Sequence, residues 1–108
     1  MYIFGKYTEL KLFFKYFYNR LSKLVGADAA GAHFVAITDP GSRLADLAER
    51  YNFRATFVND PNIGGRYSAL TYFGMVPAAL MGIPVETLLR RAIDMATLCA
   101  GSVSPQEN

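Results

Sequence analysis

Gly64, Gly65 and Arg66 stand together in the run Asp60-Pro61-Asn62-Ile63-Gly64-Gly65-Arg66-Tyr67-Ser68-Ala69-Leu70. Two residues without a Cβ let a ligand approach the backbone closely and permit a positive φ. A planar, permanent cation follows them directly, and such a group suits oxyanions. The apolar residues after Arg66 read as a helix, which places the arginine at a loop-to-helix corner. Free backbone N–H groups at a helix start favour anions. The chemistry implied is the holding of a phosphorylated or oxyanionic small molecule. A tight turn uses the same glycines, and on spacing alone both readings stand.

Other groups that could do chemistry sit at the ends of expected strands. Thr38, Asp39, Ser42, Asn59 and Asp60 fall at or just past carboxyl ends, the edge where open α/β sheets take ligands. Turn formation and helix capping also account for Asp39 and Ser42. His33 begins a strand and so belongs to the opposite edge. Glu86 follows Pro84, an ordinary place for a helix-start carboxylate. Cys99 lies in an apolar helical stretch without a histidine partner and is expected to be buried and inert. No spacing supports a metal site.

The elements that must position these groups are legible in the hydrophobic pattern. Leu10, Phe13, Phe14, Phe17, Leu21, Leu24 and Val25 recur at helical spacing, with Thr8 as expected N-cap and Gly26 just past the end. A basic, aromatic helix of this kind also suits a membrane surface. Packing on a sheet explains the stripe without lipid, and no membrane partner is expected. Gly26 to Ala32 is a small-residue connection. Phe34 to Thr38 predicts a strand buried on both faces, and Asp39-Pro40-Gly41-Ser42 a turn. Leu44, Leu47, Ala48 and Tyr51 predict a short helix, and Ala55 to Val58 the next strand. Strand, helix and strand in this order argue a parallel sheet. An apolar helix is expected from Arg66 to about Met81, kinked or broken at Pro77. Pro84 then starts a last helix, and residues 101–108 read as a tail.

The chain has 108 residues, 52% hydrophobic and 19% charged, which excludes a disordered state and bounds the fold to one small domain. A net charge of +2 gives no case for nucleic acid. The single cysteine excludes an internal disulfide and fits a reducing, cytoplasmic setting. Two or three strands with several helices leave edges and faces uncovered. The expectation is therefore a homo-oligomer or part of a larger chain.

Three runs carry a family resemblance: His33-Phe34-Val35-Ala36-Ile37-Thr38-Asp39-Pro40-Gly41-Ser42, Phe57-Val58-Asn59-Asp60-Pro61-Asn62-Ile63 and Gly64-Gly65-Arg66-Tyr67-Ser68-Ala69-Leu70. Together with Phe13-Phe14-Lys15-Tyr16-Phe17-Tyr18 they resemble the sugar-isomerase (SIS) region of glucose-6-phosphate isomerase. The likeness is nearest to the isomerase half of bacterial transaldolase/glucose-6-phosphate isomerase fusions. It covers most of this chain but only a minor part of a full family member. The resemblance implies a partial SIS, flavodoxin-like three-layer α/β fold over residues 1–100, with a short parallel sheet and flanking helices. It implies interconversion of glucose 6-phosphate and fructose 6-phosphate, in glycolysis and gluconeogenesis, without metal or nucleotide cofactor. Arg66 is then the catalytic cation, with Gly64, Gly65, Arg66 and Ser68 binding a sugar phosphate. Asn59 and Asp60 either shape the adjoining loop or meet a sugar hydroxyl.

Two departures from the family pattern limit that expectation. Family members carry a Ser-x-Ser-Gly-Thr-Thr-x-Glu phosphate loop before the first helix. The matching stretch here is Tyr2-Ile3-Phe4-Gly5-Lys6-Tyr7-Thr8-Glu9, in which only Gly5 and Glu9 fit. Lys6 offers a point charge but no cradle of hydroxyls. The family's catalytic glutamate, ring-opening histidine and later lysine come well after the glycine-glycine-arginine signature, beyond Asn108. The expectation is a segment of such an isomerase, inactive as this chain alone. The alternatives are a non-catalytic sugar-phosphate-binding or assembly module and a truncated gene product.

Overall fold

The computed structural model describes residues 2–101, with side chains from Tyr7 onward. Residues 102–108 of the expected tail, and the side chain of Lys6, lie outside the described residues. The chain forms two compact units that divide between Ile63 and Gly64.

The first unit opens with helix α1 (Tyr2–Val25), 24 residues long. The expected start at Thr8 is corrected: Thr8 lies inside the helix. No proline interrupts Tyr2 to Tyr7, and one glycine costs only about 1 kcal/mol of helix propensity. Gly26, at φ 91°, ends the helix as expected of a residue without a Cβ.

The broad apolar stripe of α1 is covered only along one edge. Phe14 is buried and Tyr7, Tyr18, Leu21 and Ser22 are half-buried, a narrow line in which Tyr7, Phe14, Tyr18 and Leu21 follow at spacings of seven, four and three and Ser22 adjoins Leu21. Leu10, Phe13, Phe17, Leu24 and Val25, expected in the core, are exposed. Phe14 is the centre of a ring cluster. Its centroid lies 5.2 Å from Tyr18, 5.3 Å from Phe34, 5.0 Å from Tyr51 and 5.6 Å from Phe53. Phe34 and Phe53 stack at 5.2 Å. Edge and offset ring contacts of this kind add about 0.5–1.5 kcal/mol each beyond their buried area.

The small-residue connection becomes a short helix α2 (Ala27–Ala30) and a 3-10 turn over Gly31–His33. Small size is required here. Ala30 is fully buried, and a Cβ on Gly31 would fall on the Tyr51 carbonyl oxygen.

Strand β1 (Val35–Thr38), helix α3 (Arg43–Arg50) and strand β2 (Ala55–Val58) follow. The strands pair in parallel, with Val35 opposite Ala55 and Thr38 opposite Val58. A crossover helix is what a parallel pair requires, and α3 supplies it. The pairing extends past both strands: Arg54 donates to the Phe34 carbonyl at 2.9 Å and Asn59 to the Thr38 carbonyl at 2.8 Å. Burial on both faces is not what forms. Ala36 and Thr38 are buried, whereas Val35 and Val58 are exposed. The result is a partial α/β fold, a two-stranded parallel sheet with flanking helices.

The second unit holds a 3-10 turn over Gly65–Tyr67, helix α4 (Tyr72–Leu80) and helix α5 (Val85–Leu98). Thr71 caps α4, accepting from Phe73 N–H at 3.3 Å. Pro77 sits inside α4, which continues through it to Leu80. Gly82, at φ 83°, turns the chain, and Pro84 is the residue just before α5. None of the described residues of this unit is buried. No helix of the described residues is long and apolar enough to cross a membrane.

Candidate functional site

The carboxyl edge of the sheet gathers small polar groups from two loops. Thr38 ends β1 and is buried, and its Oγ1 lies 2.7 Å from the Ser42 Oγ. Ser42 also caps α3, accepting from the Ala45 N–H at 3.1 Å. Gly41, at φ 68°, makes the intervening turn. Across the sheet Asn59 is buried directly after β2. Asp60 follows it and turns its carboxylate onto the loop: Oδ1 accepts from the Asn62 N–H at 2.9 Å and from Asn62 Nδ2 at 3.0 Å. That arrangement is the loop-shaping reading of Asp60, since an acceptor held by two donors of one neighbour is committed to the turn. The Thr38–Ser42 hydroxyl pair escaped the sequence reading as a pair. Its signal is a threonine closing a strand and a serine four residues on.

The Gly64-Gly65-Arg66 corner differs from expectation in two respects. Neither glycine has a positive φ; Gly64 is extended at φ −70°, ψ 156°. Arg66 does not start α4. It lies in the three-residue 3-10 turn, and α4 begins six residues later at Tyr72. Anion binding at a helix N-terminus is therefore not available to Arg66, because a single 3-10 turn carries no comparable dipole. What the corner keeps is clearance. A Cβ built on Gly64 or on Gly65 meets nothing within 4 Å. Arg66 is exposed and, among the described residues, makes no hydrogen bond or ion pair. Ser68 is half-buried and its hydroxyl donates to the Gly65 carbonyl at 2.7 Å, so it ties the turn together. Gly64, Gly65, Arg66 and Ser68 are brought together locally by this turn.

The remaining candidates divide. His33 closes the 3-10 turn before β1, at the amino edge of the sheet. Glu86 is in the first turn of α5. Cys99 is a correction: it caps the C-terminus of α5 and is exposed, with its Sγ 3.8 Å from Met95 Sδ. Val85, Leu89 and Ala92 of α5 are half-buried, whereas Ile93, Met95 and Leu98 beside Cys99 are exposed, so the sequence stretch that looked like core is a surface. The stretch that departs from the family's phosphate loop is helical from Tyr2 to Glu9, and from Lys6 onward a helix turns its N–H groups onto its own carbonyls four residues back. Among the described residues, no cluster of histidine, cysteine, aspartate or glutamate is placed to hold a metal ion.

Comparison with known proteins gives consistent kinship. The chain is 35% identical over 105 residues to a glucose-6-phosphate isomerase of Parabacteroides distasonis, a match covering 96% of this chain and 23% of that protein. It is 35% identical over 98 residues to one of Mycoplasmopsis pulmonis, covering 91% of this chain and 23% of the relative. Over 67 residues it is 46% identical to one of Cyanothece sp., covering 60% of this chain and 13% of the relative. The chain thus spans less than a quarter of the length of these curated relatives. Neither a family model nor a solved structure matches it.

Proposed function

From its kinship with one segment of the glucose-6-phosphate isomerases, we propose that the chain carries the sugar-phosphate-facing corner of an SIS-type isomerase and binds an anionic sugar there. Gly64 and Gly65 give the ligand access to the backbone, Arg66 supplies the cation, and Ser68 holds the turn. In the complete reaction, between glucose 6-phosphate and fructose 6-phosphate in glycolysis and gluconeogenesis, the cation's role is to stabilise the charge that develops on an enediolate. A cytoplasmic location belongs to the same reading.

The observation that carries the proposal is the open space at the two glycines. A glycine demanded by the fold has a positive φ or a neighbour where its Cβ would be, and neither holds at Gly64 or Gly65. Two such residues beside an exposed arginine leave the backbone open to a ligand's approach. Because the hydroxyl-rich phosphate anchor is replaced by helix, affinity is expected no tighter than about millimolar, about 4 kcal/mol.

Titration of the chain with 6-phosphogluconate, followed by backbone NMR shifts, tests this. The expected shifts centre on residues 64–68, weaken with salt and vanish in Arg66→Ala. Shifts that are absent in the native chain, or equal in both proteins, overturn the reading. A covalent transaldolase partner, as in the fusions the sequence resembles, is the finer form of the proposal. In-frame transaldolase sequence beside the gene would decide it.

A further inference from the structure

We draw no further inference here: the strongest candidate, the Thr38–Ser42 hydroxyl pair at the carboxyl edge of the sheet beside the start of α3, is engaged with itself and with the Ala45 N–H it caps, and a helix start so occupied does not by itself point to a ligand.

Discussion

Glycine has opposite meanings at two places in this chain. At Gly31 the fold demands it: the residue is buried, and a Cβ would fall on the backbone carbonyl of Tyr51. Backbone cannot yield as a side chain can, so Gly31→Ala is expected to cost about 1–3 kcal/mol of stability, read as a lower urea midpoint. At Gly65 nothing stands within 4 Å of a built Cβ and the backbone conformation is ordinary. Gly65→Ala is expected to leave stability within about 0.5 kcal/mol while removing the shifts caused by 6-phosphogluconate. A large loss of stability in Gly65→Ala would show that the fold, not a ligand, requires that glycine. The sequence distinguishes the two positions poorly. Gly31 matters through a contact with a residue twenty positions away, which no local pattern encodes. Thr8 failed as a cap for the converse reason. A threonine before an apolar stripe looks like a helix start, but the six residues before it continue the helix.

Among the elements, those built from short-range rules were the most legible. Ala55 to Val58 is a strand within the expected limits, and Ser42 caps α3 as a serine after a proline-glycine turn should. The parallel order followed from one crossover helix between two apolar runs. What the pattern did not convey is which side of an element finds a partner. The apolar arc of α1 is wide enough for two contacts, and the ring cluster uses only the edge at Phe14. Ser42 allows an element-level test. Ser42→Ala removes the acceptor for the Ala45 N–H and the hydroxyl 2.7 Å from buried Thr38. A loss of about 1–2 kcal/mol is expected, again by urea unfolding. Ser42→Asp retains the cap and is expected to recover about half of that loss. An unchanged midpoint in Ser42→Ala would mean that α3 is held by packing alone.

For the whole molecule the decisive question is how much of the isomerase chemistry 108 residues can carry. Moving a proton between adjacent carbons of a sugar phosphate needs a base at the carbon and a second group to open the ring, besides a cation. The chain has one histidine, His33, and it precedes β1 at the amino edge of the sheet. An extended strand rises about 3.3 Å per residue, so His33 is roughly 15 Å from the carboxyl edge at Thr38. Within the unit that holds Arg66, Glu86 is spent at the start of α5, where a carboxylate complements the helix dipole. The relatives in which the chemistry is complete are more than four times as long as the segment this chain matches. The purified 108-residue chain is therefore expected to give no turnover of fructose 6-phosphate in a coupled assay, even at ligand concentrations that saturate the shifts at residues 64–68. Turnover that disappears in Arg66→Ala would overturn this, and would place a base and a ring-opening group among residues assigned here to turns and caps. Binding without turnover would separate an inherited sugar-phosphate corner from a working active site, because the proposed corner of Gly64, Gly65 and Arg66 holds a cation and open backbone and no proton-transfer group.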